Sequence, residues 1–436
     1  MPDRPAVCMI TSEAHPIIKV GGLGDAVPAL AKSLLTQGVD VRLLLPHYRE
    51  VQAEIICSQD VGELQLGAHR FSVRMNESRI GALPVYLIDI PELYDRPGVY
   101  GPRLDEAHPD NLLRFAALSK AAYAVCKSLN WIPDIMHGHD WQSGPAACLS
   151  RLPEYQAAFP GLRHIITIHN IGYQGVFSSR EYASIGLGES ETAGCKLTLN
   201  GDLNMLATGI SHCDAITTVS QRYAQEIQGP LGYNLENLIR QRKNQLFGIT
   251  NGMDYDEWNP ADDVFLPANY DSNKMQGKKI CKQELQKELG LPQDDEKMLI
   301  GIVSRLVYQK GIHALAENSE SVLPKLCNDP RLQVAILGSG EHWCEKQLQK
   351  LSTECDNIAV RIGYDTGLSH RITAGSDLFL MPSIYEPCGL SQLSAMRYGS
   401  IPVATATGGI ADTVQDGISG FLFPSPQAST ILKTIH

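Results

Sequence analysis

The stretch LFLMPSIYEPCGLSQ occupies residues 378–392 and contains the pattern that indicates the fold of this chain. It starts with the uninterrupted apolar run from Leu378 to Met381 and continues through a turn containing Pro and Gly into a helix-like segment. Such a run is typical of a strand that is buried on both faces of a parallel sheet. The stretch therefore predicts a β-strand, a turn and an α-helix, in that order.

Apolar runs of the same kind recur along both halves of the chain and lead into helix-like stretches. This alternation predicts an α/β protein built from doubly wound, Rossmann-like domains, which bind ligands beyond the carboxyl ends of their strands. The predicted strands are Val7 to Thr11, Val39 to Leu45, Val85 to Ile90, Ile135 to His137, His164 to His169, Ala215 to Ser220, Leu246 to Thr250, Met298 to Ser304, Leu332 to Leu337, Ile358 to Ile362, Leu378 to Met381, Ile401 to Thr405 and Gly420 to Phe423.

A chain of 436 residues is too long for one ordinary core, so two domains are expected. The polar stretch from about Asp254 to Gln293 contains no convincing strand and marks the boundary. We therefore predict an N-terminal domain at 1–255, a linker region at 256–297 and a C-terminal domain at 298–436. Two such domains are expected to face a central cleft that holds the chemistry.

Composition excludes several classes of protein. The net charge of -11, without a basic cluster, argues against a nucleic-acid surface. Eleven cysteines are scattered singly, which suits neither a disulfide framework nor a zinc module and favours a reducing compartment. No basic leader precedes a long apolar segment, so we expect no membrane association and a cytoplasmic location, or a plastid for a processed plant or algal protein.

A glycine-rich turn, KVGGLGD at residues 19–25, follows the first predicted strand and precedes a helix-like run. Backbone N–H groups of such a turn can approach a phosphate group, and Lys19 adds a positive charge. The spacing fits neither the dinucleotide fingerprint nor the Walker pattern. An ordinary turn with a solvated lysine is the alternative.

Polar side chains follow two further predicted strands, in HGHDW at 137–141 and TIHN at 167–170. A zinc site is the less favoured interpretation because no third segment completes a ligand set. Polar groups at strand ends suit sugar hydroxyls, and Trp141 would form an aromatic wall. A structural role for each histidine is the alternative.

Charged residues follow strands in the second half as well. Arg305 and Lys310 have the spacing to hold a diphosphate, or they are ordinary surface cations. Glu386 lies on a Pro-Cys-Gly turn beside backbone N–H donors, where it could hold a sugar or merely cap a helix. No sequence-local base marks Cys388 as a nucleophile, so packing or substrate contact is favoured for this thiol.

Taken together, these motifs resemble the bacterial glycogen synthases and plastid starch synthases that use ADP-glucose. The match spans nearly the whole chain and is specific because the motifs occur in order and at similar separations. The matching segments are residues 19–23, 139–141, 167–170, 217–220, 251–254, 258–260, 304–311, 363–364, 386–390 and 407–409.

The resemblance implies a GT-B fold and a retaining transfer of glucose from ADP-glucose to the non-reducing end of an α-1,4-glucan, without metal or cofactor. A UDP-glucose-dependent transferase and a silent glucan-binding paralogue are the alternatives. The implied catalytic residues are His169, Glu386, Asp140, Lys310 and Arg305, with Glu386 positioning the sugar and not attacking it. The implied substrate-binding residues are Lys19, Gly21, Gly22, Glu13, Asn170, Asn251, Tyr364, Cys388, Gly389 and Leu390.

Within that scheme Lys19, Arg305 and Lys310 would hold the diphosphate. Tyr364 would lie against adenine, and Asp140 and Glu13 near the sugar and acceptor. The chain also departs from the family's usual residues, which predicts some loss of acceptor affinity. The departures are Ala207, Asn234, Tyr308, Ser394 and Thr405. The family usually continues beyond the last strand into further helices, whereas this chain stops at His436; we expect a truncated sequence or weaker domain coupling.

Overall fold

The computed structural model describes residues 4–103, 106–185, 198–199, 201–327 and 329–436. The chain divides into two compact units, Met1–Gly252 and Met253–His436. Each contains a sheet with parallel strands at its centre, so the predicted α/β class is confirmed.

The first unit is built on a nine-stranded sheet and a small three-stranded sheet. Their orders are β12-β11-β7-β6-β1-β2-β5-β4-β3 and β8-β10-β9. The strands from β12 to β5 in the larger sheet are parallel, which brings the loops after β1, β6 and β7 to one edge. The strands are β1 Ala6–Ile10, β2 Asp40–Pro46, β3 Cys57–Leu66, β4 His69–Ile80, β5 Leu83–Asp89, β6 Ile135–His139, β7 Arg163–Ile168, β8 Val176–Phe177, β9 Thr198–Leu199, β10 Asp202–Asn204, β11 Ala215–Thr218 and β12 Leu246–Gly248.

Helices cover this sheet and bury its apolar residues. Val27 and Ala31 of the first helix pack against Met9, Leu43 and Val85 of the central strands. The α-helices of the unit are α1 Leu23–Thr36, α2 Pro91–Tyr94, α3 Asn111–Ser128, α4 Gly144–Leu149, α5 Pro153–Ala158, α6 Tyr182–Ile185, α7 Met205–His212, α8 Gln221–Glu226 and α9 Glu236–Gln241.

The antiparallel strands β3 and β4 were absent from the prediction. In β4, buried and exposed residues alternate along most of the strand, because only one face of this part of the sheet is covered. The sequence analysis looked for uninterrupted apolar runs, which only strands buried on both faces contain.

The second unit contains a six-stranded parallel sheet in the order β15-β14-β13-β16-β17-β18. The strands are β13 Met298–Val303, β14 Leu332–Gly338, β15 Ile358–Ile362, β16 Leu378–Met381, β17 Ile401–Thr405 and β18 Phe421–Phe423. The α-helices are α10 Gln276–Leu289, α11 Ile312–Ala316, α12 Val322–Leu326, α13 His342–Glu354, α14 Thr366–Gly375, α15 Ser391–Arg397, α16 Gly408–Thr413 and α17 Ala428–Ile435.

The segment 256–297, which the sequence analysis treats as a linker, differs from that expectation because it lies within the second unit. Its helix α10 buries Cys281, Leu285 and Leu289, which are spaced four residues apart. Leu285 and Leu289 pack with Leu299 of β13. The remaining positions of α10 are largely polar, and this composition concealed the apolar stripe.

A disulfide joins Cys327, at the end of α12, to Cys355, at the end of α13. The two residues are 28 positions apart, and their Cα atoms are separated by 5.2 Å. The sequence analysis did not indicate this bond, because neighbouring helix ends bring together two thiols that no sequence motif connects. In the part of the chain that the structure describes, no helix has the length and hydrophobicity required to cross a membrane.

Candidate functional site

Glu13 supports the glycine-rich turn of the first unit from the inside. Its Oε2 accepts hydrogen bonds from the backbone N–H groups of Val20, at 2.6 Å, and Gly21, at 2.8 Å. Its other carboxylate oxygen accepts a hydrogen bond from the Tyr100 hydroxyl. Burial raises the pKa of Glu13, and these hydrogen bonds oppose that shift. The structure thus connects Glu13 to the turn, whereas the sequence analysis placed it near the sugar.

The turn leads directly into α1 and contains a lysine paired with an aspartate. Nζ of Lys19 lies 2.7 Å from Oδ1 of Asp25, and both side chains are about one-fifth exposed. A Cβ built on Gly24 would lie 3.1 Å from Cγ of Lys19, so the turn is closely packed there. Around Gly21, by contrast, no atom within the described ranges lies within 4 Å of such a Cβ. Gly22 then caps α1, whose first N–H groups favour an anion.

Asp140 organises the loop that follows β7. Its Oδ1 accepts hydrogen bonds from the backbone N–H groups of His169, at 2.7 Å, and Asn170, at 3.3 Å. Its own backbone has a φ of 55°, in the left-handed region that few non-glycine residues adopt. Burial raises the pKa of Asp140 to about 7 against the opposing effect of these N–H groups. The carboxyl group therefore fixes the backbone from which the His169 side chain projects.

Three histidines converge beside Asp140 at the ends of β6 and β7. Nδ1 of His139 lies 3.0 Å from Nε2 of His169, and Nε2 of His137 lies 2.6 Å from Oγ1 of Thr167. Burial lowers the pKa of His169 to about 3 and that of His137 to about 4, so both imidazoles are neutral at pH 7. The described ranges contain no group of three or more His, Cys, Asp or Glu side chains that could hold a metal ion.

The two asparagines proposed to bind substrate have different environments. The side-chain oxygen of Asn170 accepts a hydrogen bond from the backbone N–H of Gly172 at 3.0 Å. Asn251 is half-buried, and its side chain makes no hydrogen bond to the residues that the structure describes. The geometry therefore connects Asn170, but not Asn251, to the loop after β7.

A buried ion pair lies at the carboxyl edge of the second sheet. Nζ of Lys310 lies 2.5 Å from Oε2 of Glu386, and the Ser383 hydroxyl donates to the same oxygen at 2.9 Å. Glu386 is 6% exposed, so the ammonium compensates for the loss of water around its carboxylate. The half-buried Arg305 lies two residues after the end of β13. The loops after β13 and β16 thus present two cations and one carboxylate.

Glycine allows these two loops to approach each other closely. Gly311 has a φ of 73°, and a Cβ built on it would lie 1.9 Å from the carbonyl oxygen of Pro382. Any larger residue would therefore separate Lys310 from the loop that contains Glu386. The contact explains why a glycine follows Lys310.

The segment 407–409 holds the turn at residues 386–390 in place. The backbone N–H of Gly409 donates to the carbonyl of Glu386 at 3.1 Å. A Cβ on Gly408 would lie 1.8 Å from that carbonyl oxygen, so only glycine fits. From the other side, Nε2 of Gln392 donates to the carbonyls of Cys388, at 3.0 Å, and Gly389, at 2.9 Å.

The remaining predicted residues lie on or beside these loops. Cys388 is 4% exposed, which agrees with a packing or substrate-contact role. Leu390 is half-buried and caps α15. Tyr364 follows β15 and is 77% exposed, so its ring offers a flat surface for stacking.

The structure also reveals contacts that sequence reasoning missed. Tyr100, Ser383, Gln392 and His139 each bond to a predicted site residue or to its turn. His139, Ser383 and Gln392 lie in the quoted stretches, but no local signal indicated their partners. Tyr100 lies outside every motif, 87 residues from Glu13.

Two protein families match the chain. Residues 6–241 match the starch synthase catalytic domain, and residues 282–436 match glycosyl transferases group 1. The glycogen synthase of Treponema denticola is 40% identical over 415 residues, which cover 94% of this chain and 84% of that protein. The glycogen synthase of Nitrosomonas europaea is 40% identical over 454 residues, which cover 99% of this chain and 90% of that protein.

Two solved structures show the same architecture. The catalytic domain of starch synthase IV from Arabidopsis thaliana, bound to ADP and acarbose, has a TM-score of 0.90 at 31% identity and covers 99% of this chain and 91% of its own. Sucrose-phosphate synthase from Thermosynechococcus elongatus has a TM-score of 0.60 at 16% identity and covers 99% of this chain and 89% of its own. At that identity the second likeness shows the fold alone.

Proposed function

Because this chain belongs to the glycogen and starch synthase family, it is a glycosyltransferase with the GT-B fold, and we propose that its donor is ADP-glucose and its acceptor an α-1,4-glucan. The enzyme would add glucose to the non-reducing end with retention of configuration. The relative from Arabidopsis thaliana that binds ADP and acarbose supports both substrates. The cytoplasmic location expected from the sequence, or a plastid, stays a prediction.

The observation that carries the proposal is the buried pair of Lys310 and Glu386. When the bond between glucose and ADP breaks, negative charge builds on the diphosphate, and nearby fixed cations stabilise that state. Arg305 and Lys310 are assigned this role in the second unit, and Lys19 in the first. Because the protein has a net charge of -11, positive charge at these positions is local to each unit and not a general attraction for anions.

Glu386 is assigned to positioning the sugar and stabilising positive charge near its anomeric carbon. Its Oε2 is already occupied by Lys310 and Ser383, which makes this oxygen a poor nucleophile. These contacts support the assignment, and retention of configuration does not argue against it, because retention indicates a carboxylate nucleophile only in retaining hydrolases. The turn at 388–390 would contact the sugar through its backbone.

The first unit would contribute sugar-binding groups. His169 and Asn170 are held on one loop by Asp140, so the backbone that carries their side chains is fixed before substrate binds. Asn251 is assigned to the same sugar, and Gly21 and Gly22 to close approach of the backbone to the phosphates. Tyr364 of the second unit would stack on adenine.

Incorporation of labelled glucose into glycogen tests the function directly. Wild-type protein is expected to use ADP-glucose in preference to UDP-glucose, and Glu386→Ala and Lys310→Ala to lose most incorporation. Lys350→Ala and Glu354→Ala are the matched controls, because this lysine and glutamate form an exposed pair on α13. Glucan binding without incorporation from either donor would instead identify a silent paralogue, and preference for UDP-glucose would refute the donor assignment.

A further inference from the structure

His139 contacts His169 but belongs to none of the roles assigned so far. It is fully buried, its ring centroid lies 4.3 Å from that of His137 and 5.3 Å from that of His169, and its Nδ1 is hydrogen-bonded to Nε2 of His169. His169 makes no other side-chain hydrogen bond within the described ranges. Only His139 therefore fixes the direction of the His169 ring by a hydrogen bond.

The bond between the two rings can form in two ways. A neutral imidazole carries one N–H donor and one acceptor nitrogen, so either His139 donates to His169 or the reverse. Burial lowers the pKa of both residues, for His139 with added repulsion from His137 and His169, so a doubly protonated ring is disfavoured near pH 7. The position of one proton then determines the positions of the others.

The second nitrogen of His139 distinguishes the two arrangements. Its Nε2 is buried and has no hydrogen-bond partner in the part of the chain that the structure describes. If His139 accepted at Nδ1, its proton would lie on Nε2 as a buried N–H without a partner, which loses the hydrogen bond that water would otherwise supply. Orphaned buried N–H groups are rarer than unpaired acceptors. The unpaired atom is therefore better explained as a lone pair.

We propose that His139 is a positioning residue that donates from Nδ1–H to Nε2 of His169 and so keeps the proton of His169 on its outer nitrogen, Nδ1. In this form His169 is a hydrogen-bond donor to an oxygen of the bound sugar. His137 does not compete for the bond, because its Nε2 is hydrogen-bonded to Thr167, which in turn bonds Thr217 at 2.6 Å. The contact with sugar rests on the proposed function, whereas the proton positions do not.

Nuclear magnetic resonance tests the proton positions without any assay of activity. Long-range ¹H–¹⁵N spectra of the full chain, labelled with ¹⁵N in histidine, distinguish a protonated ring nitrogen from an unprotonated one. Replacement of single histidines by Asn assigns the signals. Both His139 and His169 are expected to be protonated at Nδ1 near pH 7. A proton on Nε2 of either ring would overturn the proposal.

Kinetics test the consequence for catalysis. His139→Leu removes the donor, so kcat is expected to fall about tenfold, the effect of one hydrogen bond, while KM for either substrate changes less than about twofold. His139→Asn keeps an N–H donor near the Nδ1 position and is expected to recover most of kcat. An equal fall of kcat in His139→Leu and His139→Asn would refute a positioning role.

His164→Leu is the matched control, since His164 is an equally buried imidazole of β7 that bonds Tyr123 and not His169. A similar fall of kcat in this control would attribute the effect of His139→Leu to general destabilisation and overturn the kinetic part of the proposal. If wild-type protein lacks synthase activity, the proposed function fails, but the spectra still decide the proton positions.

Discussion

The carboxylate of Glu13 accepts a hydrogen bond from the backbone N–H of Gly21, eight residues later in the chain, at 2.8 Å. Together with the bond to Val20, this contact determines the shape of the glycine-rich turn from a side chain that is itself only 3% exposed. A residue expected to touch substrate is thus connected to the loop that is proposed to bind the donor.

Glu13→Gln is expected to raise KM for ADP-glucose about tenfold with a smaller effect on kcat. The amide oxygen can still accept from the turn, but the NH₂ group only donates, so the Tyr100 hydroxyl can no longer donate to this position and the hydrogen bonds lose their charge assistance. Steady-state kinetics measure the effect. Glu50→Gln is the control, because Glu50 also accepts a backbone N–H, from Gly98, but at an exposed position. Equal effects of the two substitutions would contradict the role of Glu13.

Asp140 should make stability fall as pH rises from about 4 to about 7. Its pKa is about 7 in the folded chain, against the usual 3.8, so in this window the folded state binds a proton that the unfolded state has lost. The group then lowers the free energy of unfolding by at most about 1.4 kcal/mol per pH unit. Urea unfolding measures the free energy of unfolding of wild type and Asp140→Asn across this pH range. As pH rises, the value for wild type should fall relative to that for Asp140→Asn. A constant difference would show that Asp140 does not titrate there.

Breaking the Lys310 and Glu386 pair should affect stability and activity differently. Lys310→Met leaves a buried carboxylate without its cation and is expected to cost about 3 kcal/mol, whereas the double variant Lys310→Met with Glu386→Leu should recover much of that loss. Neither protein is expected to transfer glucose. Thermal unfolding and glucose incorporation measure the two properties, and activity in the double variant would refute the catalytic assignment.

Lys278 should be essential for the stability of the second unit. Its Nζ lies within 3.0 Å of the carbonyl oxygens of Ala374, Ser376 and Tyr398 and of the Ser400 hydroxyl. Lys278→Met removes the ammonium group that donates to these oxygens and is expected to lower the free energy of unfolding by about 2 kcal/mol or more. Lys279→Met, on the exposed side of the same helix, should leave the thermal midpoint unchanged. Equal midpoints for both variants would contradict this account.

Asn234 occupies a left-handed backbone conformation that glycine adopts more readily than any other residue. Its φ is 73°, which Asn tolerates better than most residues. Asn234→Gly should change stability by less than about 0.5 kcal/mol, because relief of strain offsets the greater freedom of the unfolded chain. Asn234→Val should cost about 1–2 kcal/mol. Urea unfolding measures the stability of both variants. An unchanged free energy of unfolding in Asn234→Val would show that the loop relaxes to accommodate valine.

Local pattern was sufficient for the strands at the centre of both sheets. Runs such as Met298 to Val303 contain almost only apolar residues because both faces of the strand are covered. The pattern was insufficient for β3 and β4, which have one covered face, and for α10, where three buried hydrophobic residues are dispersed among polar ones. A pattern of apolar residues reveals an element clearly when most of its surface is buried. The pattern is weaker when only one face of the element is buried.

Motifs along the chain likewise led to most residues of the proposed site, because the carboxyl ends of parallel strands carry these residues. Only the folded chain decided their partners. Lys310 meets Glu386 across 76 residues, and His139 meets His169 across 30. Sheet order and register determine these contacts, and residues so far apart acquire a common environment only when the strands between them have paired.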